Sequence, residues 1–346
     1  MSILKKIIFG LAVLLLLLMV IAGAAAVYVI YWPLSPRSQA TVEMTVRWGA
    51  SLGSVAQELE AQGVVRSADQ FKLTAKLFGK TQKLRVGRFS LHKGSSNHQA
   101  LWALLEGPQS FIDLTLPRGY DSRRFAGIIA AQLQLDSTRI MELVRDPAFI
   151  VAQGIDAPTL EGYLYPETYR LTFGMKEEQV LQMLVQQFKS QVPDSLMQGR
   201  HASGLDFNNI LTLASIIEGE AMFDDEMPVI SSVYHNRLKL GMKLQADPTI
   251  QYLIPDGPRR LLLRDLRIDS PYNTYLYAGL PPTPINNPSV KAIRAALQPA
   301  DTDYLFFVAV GNGRHTFSRT YGQHLNAKRR FDEVRRQVER ERRAGQ

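Results

Sequence analysis

The residue with the clearest chemical promise is Glu218. It lies in a stretch, 207–222, whose apolar residues Ile210, Leu213, Ala214, Ile217 and Ala221 recur at the spacing of one helix face. Glu218 follows Ala214 by one turn and precedes Ala221 by three residues, so it shares that face. A carboxyl group pressed against apolar surface resists ionisation. A raised pKa is what a proton donor working near neutrality requires. Glu220 falls about 200° further round the axis and is expected at the solvent side. Periodicity alone leaves a second reading open, in which Glu218 is a buried partner of an arginine such as Arg237.

Polar residues suited to binding follow in loops stiffened by proline. Leu244-Gln245-Ala246-Asp247-Pro248-Thr249 reads as a turn entering a helix, with proline at the first helical position. Ser270-Pro271-Tyr272-Asn273-Thr274-Tyr275 and Gly279-Leu280-Pro281-Pro282 read as rigid loops. Amide, carboxylate and aromatic groups projecting from such loops are common in sugar sites, and also in ordinary loops. Other chemistries find little support. The chain has no His-Glu-x-x-His motif, no phosphate-binding glycine loop and no Gly-x-Ser-x-Gly elbow. Six histidines without any cysteine argue against a structural zinc site. Ser90-Leu91-His92-Lys93 matches Ser-x-x-Lys but lacks its companion motifs, and is read as coincidence. No metal or cofactor is expected.

The elements that must position these groups are mixed helix and strand. Residues 41–46 alternate as a strand, and Ser51 and Gly63 bracket a helix. A second helix is predicted over 69–78, a strand over 88–91 and a third helix over 97–105. Beyond 111 the pattern predicts a strand at 113–116 and helices at 123–133, 180–191, 207–222, 229–239 and 289–297. Asp206 is placed to cap the helix that carries Glu218. A hairpin is predicted over 304–318, turning at Gly311-Asn312-Gly313. The tail from Lys328 to Arg343 reads as a charged helix with Phe331, Val334 and Val338 on one side.

No charge occurs between Lys6 and Arg37, and the run 7–32 exceeds the ~20 apolar residues that cross a bilayer. Tyr28, Tyr31 and Trp32 suit the headgroup layer, and Lys5 and Lys6 favour a cytoplasmic N-terminus. A cleaved signal peptide is the competing reading, given the small residues at 22–26. The apolar run continues past them, which suits an uncleaved anchor. Much of the net charge of +8 sits in the tail. An exported domain excludes a nucleic-acid role in this reading, and without cysteine it must rely on its core for stability.

Several motifs together resemble a known family. Leu213-Ala-Ser-Ile-Ile-Glu218-Gly-Glu-Ala221 resembles the signature helix of the endolytic murein transglycosylases, the YceG-like family. The likeness continues through Val233-Tyr-His-Asn-Arg-Leu238, Gly241-Met-Lys-Leu-Gln-Ala-Asp-Pro-Thr249, Tyr272-Asn-Thr-Tyr275, Gly279-Leu-Pro-Pro282 and His315-Thr-Phe317. Upstream, Leu160-Glu-Gly-Tyr-Leu-Tyr-Pro-Glu-Thr-Tyr169 fits as well. The family often has Glu-Lys-Glu-Thr where this chain has Glu218-Gly219-Glu220-Ala221. Gly219 lowers helix propensity by about 1 kcal/mol relative to alanine and is expected to loosen the helix there.

The resemblance implies an α+β chain with one N-terminal transmembrane helix, a small LysM-like α+β module and a mixed α+β catalytic domain. The corresponding boundaries are 1–6 cytoplasmic, 7–32 membrane, 33–40 linker, 41–108 module and 109–346 catalytic domain. It implies cleavage of peptidoglycan glycan strands in the periplasm, with Glu218 as the acid. Glu226 is expected as a supporting acid, and Gln245, Asp247, Asn273 and Tyr275 as substrate-holding residues. His315 is expected to brace the hairpin. Expected partners are nascent strands, the inner membrane and peptidoglycan synthases. A non-catalytic wall scaffold and an ordinary hydrolase remain the competing classes.

Overall fold

A computed structural model describes residues 3–35, 40–82, 84–197, 204–255 and 257–344. The chain forms two compact units. The first comprises Met1–Leu114 and Tyr169–Lys176, and the second Thr115–Thr168 and Glu177–Gln346.

The first unit begins with α1 (Ile3–Tyr31). Its stretch Ile7–Tyr31 is long and apolar enough to cross a membrane, a description that an anchor and a signal sequence both meet. β1 (Thr41–Val46), α2 (Leu52–Ala61), α3 (Ala68–Leu77), β2 (Gly87–His92) and α4 (Asn97–Leu105) follow. Ser51 caps α2 as predicted, its Oγ accepting from the Ser54 amide at 3.0 Å. Ser96 and Gln99 form a reciprocal capping box on α4. β1 and β2 pair antiparallel, from Thr41 opposite His92 to Val46 opposite Gly87. Their inward residues Met44, Val46, Phe89 and Leu91 meet Leu59, Phe71, Leu101 and Leu104 of the helices in one core.

Two strands beyond the predicted module boundary complete its sheet. β3 (Gln109–Thr115) and β4 (Thr168–Thr172) extend the order to β1-β2-β3-β4. The strand expected at 113–116 is part of β3, but residue order does not show that it pairs back onto β2, and β4 arrives from a distant part of the chain.

The second unit is mainly helical. It contains α5 (Ser122–Leu133), α6 (Ser137–Arg145), α7 (Pro147–Ala152), α8 (Glu177–Gln191), α9 (Asp194–Met197), α10 (Phe207–Glu220), α11 (Met227–Lys239), α12 (Asp247–Leu253) and α13 (Val290–Leu297). The hairpin β5 (Phe306–Ala309) and β6 (His315–Ser318) and the terminal helix α14 (Tyr321–Ala344) close it. The predicted hairpin pairs with Phe307 opposite Phe317 and Ala309 opposite His315. On α14, Phe331 is half-buried, while the side chains of Val334 and Val338 lie outside the described residues.

α10 is the centre of this unit, in contact with α11, α12 and α13. Asp206 caps it as predicted, accepting from the Asn209 amide at 2.8 Å. All five residues of the predicted apolar face are buried, but so are Leu211 and Ile216. A helix enclosed on most sides is apolar almost all round, and its residue periodicity then understates its burial.

Candidate active site

The end of α10 carries two carboxylates in different surroundings. Glu218 is 7% exposed. Its Oε2 accepts from the Ser289 amide at 2.9 Å and from the Ser289 hydroxyl at 2.6 Å. Its Oε1 lies 3.3 Å from Nε of Arg118. Ser289 is also the N-cap of α13, so the positive end of that helix faces the carboxylate. The Arg118 guanidinium is shared with Asp224 at 2.6 Å, and Asp224 also meets Lys291 at 2.6 Å. Lys291 and Arg118 hold the Asp224 carboxyl below the usual carboxylate range. The open alternative of an Arg237 partner is therefore replaced by Arg118. Arg237 instead donates to the backbone carbonyls of Leu305 and Leu244, at 2.7 and 2.6 Å.

Glu220 does not face open solvent as its angular position suggests. It is half-buried against α11 and the start of α12, because α10 has neighbours on that side too. Tyr234 Oη donates to its Oε1 at 2.9 Å. Burial, reinforced by the nearby Asp247 charge, pushes the Glu220 carboxyl up to about 7. The helix between the two acids is regular through Gly219. A β-carbon at Gly219 would lie 2.7 Å from Cβ of Pro248, so glycine permits the close approach of α12 rather than loosening the helix.

A cleft of about 550 Å³ opens beside these groups. Gly119, Gly219, Glu220, Asp247, Tyr252 and Asn286 are among the residues that line it. Gly119 has φ +75°, and a β-carbon there would sit 3.7 Å from Cγ of Glu218. Gly119 and Gly219 thus bring the cleft wall up to Glu218, which does not itself line the cleft. Asn286, also in the lining, is fixed by donating to the Ser215 carbonyl at 2.8 Å.

The remaining predicted residues divide by what occupies their side chains. Asp247 lines the cleft and accepts from Tyr275 Oη at 2.5 Å. Tyr275 is half-buried, and burial together with Asp247 raises its phenol. Gln245 is exposed, with φ +50°, and its backbone N–H donates to the Thr274 carbonyl at 3.1 Å. Asn273 is fully buried, and its amide donates to the carbonyls of Leu266 and Ile268 while its oxygen accepts from the Tyr275 amide. Glu226 is buried, with one oxygen 3.0 Å from the His315 amide and the other 3.0 Å from its Nδ1. Glu226 and His315 therefore tie the β5–β6 hairpin to the start of α11.

Sequence reasoning passed over Arg118, Gly119, Ser289, Asn286 and Tyr234. Ser289 carried a visible signal as the residue before a predicted helix, where a cap is expected. Arg118 is about a hundred positions from Glu218, and nothing in its neighbours marks it.

A central acid-bearing helix beside an open cleft defines a carboxylate-centred site. Residues 44–330 match the YceG-like family, and the chain belongs to that family. The chain is 31% identical over 315 residues to the endolytic murein transglycosylase of Bacillus subtilis (strain 168), covering 86% of this chain and 87% of the relative. It is 28% identical to the endolytic murein transglycosylase of Streptococcus pneumoniae serotype 2, covering 86% of this chain but 60% of that longer protein. Among solved structures, a putative yceG-like protein of Listeria monocytogenes superposes with a TM-score of 0.57 at 30% identity. That match covers 84% of this chain and 99% of the other.

Proposed function

We propose that this protein is an endolytic lytic transglycosylase that cuts peptidoglycan glycan strands with Glu218 as its acid. The observation that carries the reading is Glu218 near the end of the family's signature helix, buried, held by Ser289 and Arg118, and next to Gly119 of the cleft wall. The names of the similar proteins support the substrate class.

In this mechanism the protonated Glu218 donates to the glycosidic oxygen between N-acetylmuramic acid and N-acetylglucosamine, and the bond from that oxygen to C1 breaks. The muramic acid C6 oxygen attacks C1, and Glu218 takes the C6 hydroxyl proton back. The product is a 1,6-anhydromuramic end, and no water is consumed. The sugar brings its own nucleophile, so proximity replaces the second carboxylate of most glycosidases. Asp247, Tyr275 and Gln245 hold the sugar. Asn273 and Glu226 act through the loop and the hairpin that they brace.

The apolar α1 is an uncleaved anchor in the inner membrane, with residues 33 onward in the periplasm. The strand-helix-helix-strand portion of the first unit is LysM-like. Anchoring keeps cleavage near nascent strands as synthases extend them, which sets strand length. Mass spectrometry of uncrosslinked strands digested by the purified protein tests the chemistry. Anhydromuramic ends are expected; reducing ends would indicate a hydrolase, and no cleavage would indicate a scaffold.

A further inference from the structure

α1 does not end in isolation. The Asn97 side chain donates to the Val29 carbonyl at 2.7 Å, and Arg66 donates to Tyr28 Oη at 3.3 Å. The Tyr31 ring lies 4.9 Å from His98, which stacks on Trp102 at 4.5 Å, with Phe78 edge-on to both. α3 and α4 thus pack directly on the last turns of α1. A helix that crosses a bilayer reaches the headgroup layer at its end, so elements packed on its last turns lie at headgroup depth. Aromatic rings of the kind gathered here favour that depth.

The outer face of α3 has a composition that fits. Phe71, Thr74 and Ala75 point into the core, whereas Leu73 and Leu77, one turn apart, are 50% and 59% exposed. Lys72, Lys76 and Lys80 flank this pair. Lys72 meets Asp69 at 2.7 Å, while Lys76 and Lys80 have no ion pair among the described residues. Two exposed leucines bordered by lysines form an amphipathic face of the kind that rests on anionic lipid.

We propose that the Leu73–Leu77 face of α3 docks on the anionic headgroup layer of the membrane that α1 enters, with Lys76 and Lys80 meeting the lipid charge. The inference rests on the anchor reading of α1. Its occupant is lipid because α3 packs on the last turns of α1 and Lys76 and Lys80 beside the leucines carry positive charge with no ion pair among the described residues.

The chain has no cysteine, so single labels can be introduced into the full-length protein. Leu73→Cys, Leu77→Cys and a control, Glu58→Cys on α2, would carry an environment-sensitive dye. The proteins would be reconstituted in vesicles with and without phosphatidylglycerol. Iodide quenching of the Leu73 and Leu77 labels is expected to fall about fivefold in phosphatidylglycerol vesicles, with the Glu58 label unchanged. Adding Lys76→Glu and Lys80→Glu to the Leu77→Cys protein should restore quenching. Equal quenching at Leu77 and Glu58, with α1 still resistant to alkaline extraction, would overturn the docking alone. Extraction of the protein by alkali would overturn the anchor reading instead. Protection that rises with protein-to-lipid ratio would assign the face to a second copy and overturn lipid as its occupant.

Discussion

Glu218 and Glu220 stand two residues apart on one helix, yet their neighbourhoods have opposite electrostatic character. Around Glu218 are two donors from Ser289, the cap of α13 and the Arg118 guanidinium. Around Glu220 are a tyrosine hydroxyl and the acid Asp247, and its carboxyl is pushed up to about 7. Burial alone therefore does not set a carboxylate's role. What matters is which charges the neighbouring elements bring, and α13 and α12 bring different ones to the two sides of α10.

The largest effect that sharpens this contrast is a pH dependence of stability. The native state keeps a proton on Glu220 up to about pH 7, whereas the unfolded chain releases it near the usual 4.5. Stability from this group is complete below pH 4.5, falls by about 1.4 kcal/mol per pH unit up to about pH 7, and is level above that. Urea titrations of Glu220→Gln across this window should lack that slope. Glu161, buried and raised to about 8 by burial and by Asp121, adds a second slope that Glu161→Gln removes. The same slope in wild type and Glu220→Gln between pH 5 and 7 would break the account of Glu220, since the depressed His235 and His324 add an opposite slope to both proteins.

Gly219→Ala comes next. Its gain of about 1 kcal/mol in helix propensity should be outweighed by overpacking against Pro248, for a net loss of about 1–2 kcal/mol in urea unfolding. Ser289→Ala removes one donor to Glu218 and the cap of α13. It should lower kcat about tenfold and stability by about 1 kcal/mol. The smallest effect belongs to Tyr234→Phe. Loss of its hydrogen bond to Glu220 should cost about 1 kcal/mol, and because that bond favours the ionised acid, the stability slope should extend to higher pH.

Much of this was legible in residue order. Asp206, Ser51 and the 304–318 hairpin announced their elements through local chemistry, and Glu218 announced its burial through spacing. Glu220 was misread because a period of 3.6 tells which residues share a face, not how many faces are covered. Arg118 and Tyr234 were not legible as partners of these acids, since each meets its glutamate only when separate elements pack. Asn273 was expected to hold substrate by its type and loop, and Glu226 to support the acid by its place in the matched segment; their hydrogen bonds go to the backbone and to His315. Side-chain type was visible in the sequence, and its availability was not.

The central claim is that Glu218, not Glu220, transfers the proton. Cleavage rates of defined uncrosslinked glycan strands by Glu218→Gln and Glu220→Gln, measured side by side, test it most directly. The account predicts a loss of about a thousandfold for Glu218→Gln and no more than about tenfold for Glu220→Gln. An inactive Glu220→Gln beside an active Glu218→Gln would contradict it.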